Sequence, residues 1–559
     1  MFSLHAPAGR RALLPALLLS LLAFAACGRH DDASLPQAAP AIKVGTQPAP
    51  DAEQVLSRQI LGSPRTLDPS LSTGIPAQHV LDDLFEGLVT IDEAGHIAPG
   101  VATSWEISAD GLTWTFHLRD DAQWSNGQPV TAQDFIYGWR RTVAPATASE
   151  YAQALAPIVN AYDISTGKKP VDQLGAEAPD PHTLVVHLVA PTPYFLELLT
   201  MAYLAPLYKP AIDQWGDAWI QAGHMISNGP FLLSESVING HITLLKNPHY
   251  WDAANVRIQK VVYYPINDPS AATSRYLAGE LDWTNRFVAS DTERLTKALG
   301  DQVVHGPYFG TVMLGFNNAV PPFKDNPKLR RAMSMAIDRK IITRYIEHGI
   351  ATPAYNMIPP LAGYTPAIPD WAKLSDDDRH ALARKLYHEA GYSDKHPLNV
   401  VLTYPTSGPS VRRFMDAIAA MWRINLGANV QLYDVQWKVL LQRLQMKQPI
   451  FFWNAWIGDY PDPFTFMQLF QKGFAQNYGD YYDPKFEALL ARAQASPDNA
   501  ERYRLFHQAE QILNDDGAYI PFYYYPTTHL VKPYLKGWKD NVLDRNLSRY
   551  MVVLQHEGH

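Results

Sequence analysis

The sequence predicts a mixed α/β protein built from several lobes, and three observations lead to this prediction. First, the chain has 559 residues, more than one hydrophobic core usually organises. Second, segments with helical and with strand periodicity alternate along its whole length. Third, no segment repeats with a period of about 20 to 50 residues, which argues against a solenoid or a propeller.

The N-terminal segment 1–27 has the composition of a secretory signal peptide. Arg10 and Arg11 precede an apolar run over 12–26, and small residues end that run just before Cys27. The run is too short and too interrupted by proline to span a membrane comfortably. The stretch "FAAC" resembles a bacterial lipobox, in which the cysteine is lipidated. We therefore expect a lipid-anchored exported protein with Cys27 as the lipidated residue; a cleaved soluble protein is the alternative.

The two ends of the mature chain are expected to be irregular. Residues 28–52 are polar and rich in Ala and Pro, which predicts a flexible linker. At the C-terminus, His556 and His559 have a spacing that could bind a metal, but a frayed polar tail is the preferred interpretation. We expect neither a metal site nor a cofactor.

The net charge of −8 and the absence of a long basic run argue against nucleic acid as a partner.

A strand, a turn and a helix follow one another in the first third of the chain. The stretch "GLTWTFHL" alternates, with Trp114, Phe116 and Leu118 on one face, and Asn126-Gly127 marks a turn. "TAQDFIYGWRRTV" then predicts a helix with Thr131 as N-cap and Asp134 at the capping-box position.

Further helices and strands are predicted in the second half of the chain. "NPKLRRAMSMAIDR" and "ARKLYHEAGY" have helical periodicity, and Gly391 is placed to end the second of these helices. "HITLLKNPHYWD" and "IPFYYYPTTHLVKP" are typical of strands, and both run into proline.

One loop places carboxylates among aromatic residues. In "WNAWIGDYPDPFTFM", Pro461 and Pro463 make continuation as helix or central strand unfavourable. Asp459 and Asp462 lie in this loop, and Asp462, between the prolines, is expected to serve the turn. The sequence lacks a Gly-x-Ser-x-Gly elbow, a phosphate-binding Gly-x4-Gly-Lys motif and a His-Glu-x-x-His helix. No catalytic site is therefore predicted.

Eight stretches in the same order along the chain carry a resemblance to a known family. They are "LDPSLSTGIPAQHVLDDLFEGLV", "APGVATSWEISADGLTWTFHLRDDAQWSNGQPVTAQDFIYGWRR", "SNGPFLL", "LLKNPHYWD", "PFKDNPKLRRAMSMAIDR", "ARKLYHEAGY", "WIGDYPDPFTFM" and "IPFYYYPTTHLVKP". From about Leu67 to the C-terminus the chain resembles the periplasmic solute-binding proteins of peptide ABC transporters, especially their oligopeptide-binding members.

The resemblance implies a periplasmic binding protein type II-like fold whose ligand cleft closes by hinge motion. It divides the body into three lobes, with these bounds: 53–86, 211–311 and 527–559 for lobe I, 87–210 for lobe II, and 312–526 for lobe III. Ligand would bind between lobes I and III, and a monomer is expected.

The same resemblance assigns ligand-binding residues. It implies that Asp459 pairs with the α-amino group of a peptide, and that the stretch from Ala455 through Trp456 to Ile457 pairs with the peptide backbone. Main-chain pairing of this kind gives affinity for many sequences. The remaining positions that match ligand contacts or aromatic wall positions are Thr73, Ile75, Tyr151, Trp437, Trp456 and Tyr525. For each aromatic residue a role in the core is the alternative.

Three departures from the family limit this transfer. Thr73 stands where the relative has an acid. The cysteine pair of the relative corresponds to Gly310 and Ile457, so that disulfide is absent. Its arginines for the peptide carboxyl end correspond to Leu444 and Trp453. A ligand carboxylate would need another cation, for which Arg443 and Lys447 are candidates.

The resulting functional hypothesis is an exported receptor, not an enzyme, that captures oligopeptides and delivers them to the permease and ATPase subunits of an ABC importer. Within the family the alternatives are a dipeptide, a murein peptide, a nickel chelate or an oligosaccharide as ligand. An exported glycoside hydrolase that uses Asp459 with a second acid is the alternative from another class.

Overall fold

The computed structural model describes residues 42–406 and 409–558. The predicted signal peptide, Cys27 and the linker as far as residue 41 lie outside this part of the chain. Within it, no helix is both long and apolar enough to cross a membrane.

Strands are distributed along the whole described chain. In order they are β1 Lys43–Pro48, β2 Val55–Ile60, β3 Val89–Ile91, β4 Ile97–Pro99, β5 Ala102–Ile107, β6 Thr113–Leu118, β7 Ala176–Asp180, β8 Thr183–His187, β9 Phe231–Val237, β10 His241–Lys246, β11 Lys260–Pro265, β12 Trp283–Thr284, β13 Val303–Phe316, β14 Thr352–Pro353, β15 Asn399–Pro405, β16 Asn429–Val435, β17 Phe451–Ile457, β18 Tyr519–Val531, β19 Leu535–Lys536 and β20 Val552–Glu557.

Helices alternate with these strands. They are α1 Ile75–Leu84, α2 Ala132–Val143, α3 Ala161–Ser165, α4 Phe195–Leu199, α5 Lys209–Trp215, α6 Pro269–Leu277, α7 Thr292–Leu299, α8 Pro327–Met335, α9 Arg339–Ile341, α10 Asp376–Glu389, α11 Pro409–Leu426, α12 Trp437–Gln445, α13 Phe464–Met467, α14 Pro484–Ala495 and α15 Asn499–Asp516. This alternation confirms the mixed α/β prediction.

The largest sheet runs through most of the molecule in the order β16-β15-β17-β13-β18-β12-β2-β11-β10-β9, with β14 paired to β18. Its two longest strands, β13 and β18, are antiparallel neighbours over most of their length. A separate sheet has the order β5-β6-β8-β7. The hydrophobic interior is divided: one core packs around β2, α1, α2 and β6, and others pack around α8 and α11 and around α13 to α15.

The predicted strand, turn and helix near the start of the body are confirmed. Trp114, Phe116 and Leu118 of β6 are buried on one face. Thr131 and Asp134 form a capping box at the start of α2, with the Thr131 amide donating to Asp134 Oδ2 at 2.8 Å. Gly391 has φ +96°, which favours glycine after a helix, as predicted after α10.

Part of the predicted linker and part of the predicted frayed tail form paired strands, so both predictions are wrong over residues 43–48 and 555–557. β1, within the predicted linker, pairs antiparallel with β20, where Lys43 lies opposite Glu557. Gln54 helps to hold the pair, because its buried side-chain amide donates to the Val553 carbonyl at 2.8 Å. Most residues of β1 are exposed, so the strand lacks the alternating apolar pattern by which a strand is recognised in a sequence.

Candidate ligand-binding site

The loop with the aromatic-flanked carboxylates follows strand β17 directly. Gly458 follows the last residue of the strand and donates its amide to the Phe309 carbonyl at 2.7 Å. A Cβ at Gly458 would lie 2.4 Å from Phe309 Cδ1, so a larger residue would displace this ring. The close approach to β13 therefore sets where the chain turns and where Asp459 begins the loop.

Asp459 presents its carboxylate to a cleft. Its side chain is exposed to the cleft solvent but has protein atoms on most sides. This burial raises the pKa of the Asp459 carboxyl to about 6. No described residue forms an ion pair with it, whereas its backbone amide donates to Thr465 Oγ1 at 3.3 Å. The carboxylate is thus positioned, poorly solvated and unpaired.

Asp462 has a structural role that goes beyond the predicted turn. Its Oδ1 accepts the Phe464 amide at 2.9 Å, which is the expected turn hydrogen bond. Arg502 in α15 also donates to both carboxylate oxygens, at 2.9 and 3.1 Å. The two side chains are only 1% and 5% exposed. Through this buried pair, the loop that contains Asp459 is anchored to α15.

Stacked rings form one wall of the cleft. Tyr194, just before α4, stacks on Tyr460 with centroids 4.7 Å apart and an interplanar angle of 2°. It also stacks on Phe464 at 5.5 Å. Offset aromatic contacts of this kind are worth about 0.5–1.5 kcal/mol beyond area burial. The rings join the segment before α4 to the Asp459 loop.

Two adjoining cavities bring several predicted residues together. The larger, of about 640 Å³, is lined by Thr73, Tyr151, Trp456 and Asp459. The smaller, of about 180 Å³, is lined by Ile75, Tyr151, Ile457 and Asp459.

The remaining predicted residues lie outside these linings. Ala455 and Tyr525 are partly buried against the core around α8 and α11. Trp437, at the start of α12, is 49% exposed. Gly310 and Ile457, the positions of the missing cysteine pair, lie directly opposite each other in β13 and β17.

The cavity walls carry more carboxyl groups than cations. Besides Asp459, Glu150 and Glu197 line the two cavities, and Glu150 pairs with Arg65 at 3.1 Å. Burial raises the pKa of the Glu197 carboxyl to about 7, and its Oε2 has no hydrogen-bond partner among the described residues. Among the described residues the cationic lining residue is Arg545, whose guanidinium donates to both oxygens of Asp82 at 2.9 and 3.1 Å. The cleft therefore favours a cationic group on its ligand.

The strand before Asp459 has one free edge. β17 pairs with β13 from Ile457 to Phe451, but in the described residues β15 pairs with it only at Thr403 opposite Phe452. The Gly458 amide donates to Phe309 in β13. Because successive residues of a strand direct their backbone N–H and C=O groups to opposite sides, those of Ala455 and Ile457 point away from β13. The Ala455 amide donates to the neighbouring Asn454 Oδ1 at 3.0 Å. The other backbone groups of Ala455 and Ile457 on this side form an edge next to Asp459 that can accept an extended chain.

Sequence reasoning missed several residues that line the cleft or support its walls. Glu197 lies in the apolar run "FLELL", and Arg502 and Arg545 lie in polar segments with no motif. The Arg502–Asp462 pair spans 40 positions and the Arg545–Asp82 pair 463. No local spacing signals such contacts. For Tyr194 and Tyr460 the available signal was only that aromatic residues flank the predicted loop.

Ionisation of Asp459 is expected to destabilise the ligand-free protein. Its folded pKa of about 6 exceeds the ordinary value of 3.8, so the folded state holds the proton more tightly. Stability contributed by the protonated form is lost as pH rises towards 6. Asp459→Asn should therefore raise the melting temperature at pH 8 and leave it nearly unchanged at pH 4. An equal effect at both pH values, measured by calorimetry, would contradict this account.

Comparisons with known proteins agree with this architecture. A model of the bacterial extracellular solute-binding proteins, family 5, matches residues 96–478. The periplasmic murein peptide-binding protein MppA of Escherichia coli is 38% identical over 508 residues, covering 90% of this chain and 94% of that protein. The oligopeptide-binding protein OppA of the same organism is 38% identical over 509 residues, covering 90% and 93%.

A solved structure shows the same fold. The unliganded open form of MppA superimposes with a TM-score of 0.81 at 37% sequence identity, covering 93% of this chain and 100% of that one. The architecture is thus the type II-like fold of periplasmic binding proteins. The chain belongs to the bacterial extracellular solute-binding proteins of family 5.

Proposed function

We propose that this protein is an exported receptor that binds oligopeptides in its cleft and delivers them to an ABC importer. The observation that carries the proposal is the unpaired carboxylate of Asp459 at the end of an open strand edge. A peptide offers the matching pair of features, a cationic α-amino group followed by an extended backbone. Relatives named as peptide-binding proteins support the same conclusion.

The proposed binding mode assigns a separate role to each part of the cleft. Asp459 pairs with the α-amino group, and the backbone groups of Ala455 and Ile457 bond to the peptide main chain. Side chains of the peptide occupy the two cavities, whose walls include Thr73, Ile75, Tyr151 and Trp456. Tyr525 and Trp437 lie outside these cavities and are proposed as ligand contacts of the closed form only.

The proposed lobes keep the bounds implied by the resemblance, with lobe III moving against lobes I and II. β13 and β18 connect lobes I and III. Pro307 lies opposite Pro526 between them, next to a register irregularity, and proline removes ladder hydrogen bonds. By contrast, Arg141 of lobe II donates twice to Asp68 of lobe I, at 2.7 and 2.6 Å, and this ion pair supports the proposal that lobes I and II move together. These observations support a hinge where β13 and β18 change lobe.

Export, lipid anchoring through Cys27, a monomeric state and the absence of catalysis belong to the same proposal. The relatives named above are periplasmic. Binding a solute and handing it on requires capture and closure but no covalent chemistry.

Calorimetry on protein freed of ligand by unfolding and refolding tests the proposal. Tripeptides with a free amine should bind, whereas a disaccharide of similar size and a nickel chelate should not. Chromatography of each mixture after prolonged incubation should recover the solute intact. Binding of the sugar alone, or release of cleaved products, would contradict a peptide receptor.

The open edge of β17 predicts a position-dependent effect of backbone methylation. Methylating a peptide nitrogen that bonds to Ala455 or Ile457 removes one hydrogen bond, which should weaken binding by about 0.5–1.5 kcal/mol, plus any steric cost. Methylating the next nitrogen along, which points away from β17, should have little effect. Equal losses at both positions, measured by calorimetry, would argue against strand pairing.

A further inference from the structure

The smaller cavity contains a second carboxyl group that the proposed binding mode does not use. Glu197 of α4 lines this cavity together with Asp459, and it does not line the larger one. The two side chains come from segments far apart in the sequence, the helix α4 and the loop after β17. The wall of the smaller cavity therefore has two carboxyl groups, of which the α-amine of a peptide engages one.

Glu197 is held in the cavity wall by its apolar neighbours on α4. Phe195, Leu198 and Leu199 are buried in the core, and the Phe195 ring packs edge-on against Trp114 with the centroids 5.5 Å apart. The Glu197 Oε2 atom is buried and has no hydrogen-bond partner among the described residues. A buried acceptor without a partner is costly, so a ligand that brings a donor to Glu197 gains affinity.

The guanidinium groups around Glu197 are held by other carboxylates. Arg502 lies within electrostatic range of Glu197, but its two terminal nitrogens donate to Asp462, and no ion pair of the described chain joins it to Glu197. Arg545, in the wall of the smaller cavity, donates in the same way to Asp82. Each guanidinium is thus matched by one carboxylate, and within the described residues the two carboxyl groups of the cavity wall have no cation of their own.

Tyrosine rings form much of the remaining wall of the smaller cavity. Tyr151 and Tyr203 stack with their centroids 4.4 Å apart, and Tyr308 also lines the cavity. The Tyr203 hydroxyl donates to the Gly74 carbonyl at 3.0 Å, which holds that ring in place. Aromatic faces attract cations and also pack against the alkyl part of lysine and arginine side chains. Tyrosine rings and carboxyl groups together therefore suit a flexible chain that ends in a cation.

We propose that Glu197 binds a cationic side chain of the ligand, so that the smaller cavity selects peptides with lysine or arginine at one of their first two positions. This inference rests on the proposed peptide-binding function and names its ligand class more closely. Because Asp459 and Glu197 line the same cavity, the basic side chain belongs to a residue close to the α-amine. Its ammonium or guanidinium group donates to Glu197, while Asp459 retains the α-amine.

Calorimetry with Glu197→Gln tests the proposal, because glutamine keeps the size of the side chain and removes its charge. Tetrapeptides carry either lysine or norleucine, an uncharged analogue, at the first, second or fourth position. At the first or second position, wild type should bind lysine about 10 to 100 times more tightly than norleucine, as expected for a charged hydrogen-bonded contact. Glu197→Gln should lose most of this preference.

Glu106→Gln is the matched control. Glu106 is an exposed glutamate of the same proposed lobe, 3.6 Å from His117 Nε2, and it lines neither cavity. This variant should keep the wild-type ratio of lysine to norleucine affinities. Circular dichroism of both variants verifies that they are folded, and the comparison of lysine with norleucine in wild type does not depend on any variant.

The position of the lysine separates a direct contact from general attraction by the cleft. At the fourth position, Glu197→Gln should leave the ratio of lysine to norleucine affinities unchanged. Equal affinity of wild type for lysine and norleucine at every position, or an unchanged ratio in Glu197→Gln, would overturn the proposal. An equal loss at all three positions would also overturn it, since only the general potential of the cleft would then be involved. Wild-type protein that binds none of the peptides would instead refute the proposed function.

Discussion

Asp459→Asn is expected to weaken the binding of peptides with a free α-amine by about 2–5 kcal/mol, or roughly 30-fold to several thousand-fold. The reason is that closure would leave the ligand ammonium desolvated beside a neutral amide. N-acetylated peptides lack the cation, so wild type and variant should bind them with similar, low affinity. Calorimetry of both peptide forms with both proteins gives the coupling energy directly.

Glu150→Gln is the matched control for this experiment. Glu150 lines the same cavity, but it pairs with Arg65 at 3.1 Å. If Asp459 acts through direct contact, Glu150→Gln should change affinity little. Equal losses in the two variants would mean that the general negative potential of the cleft, and not a specific ion pair, attracts the ligand.

Arg502→Met is expected to destabilise the protein by about 3–5 kcal/mol, because it leaves the buried Asp462 carboxylate without a partner. Urea unfolding measures this free energy. Arg504→Met is the control two positions away, where an exposed arginine pairs with Glu501 at 2.7 Å. Such surface pairs contribute about 0–1 kcal/mol.

A second variant separates the charge effect from the loss of packing. Asp462→Asn combined with Arg502→Met removes the buried charge and should recover part of the lost stability. If Arg502→Met costs no more than Arg504→Met, the pair does not anchor the Asp459 loop.

Features with a local signal were predictable from the sequence. The capping box at Thr131, the buried face of β6 and the turn role of Asp462 depend on residues within a few positions of one another. The β1–β20 pair had no such signal, since its strands join the two ends of the described chain and are largely polar. The two strands are held in place by backbone hydrogen bonds between segments that are distant in the sequence.

The cleft shows the same limit. The sequence indicated a carboxylate among aromatic residues, and the family resemblance singled out Asp459. The lack of an ion-pair partner for Asp459 among the described residues and the free edge of β17 depend on how distant segments pack.

Mass spectrometry of the solute released on denaturation tests the central claim most directly. Protein purified from its native compartment without added ligand should release peptides, and these should carry unblocked α-amino groups. Release of saccharides or other non-peptide solutes in stoichiometric amount, or of N-blocked peptides as readily as free ones, would contradict a receptor that recognises peptides through Asp459.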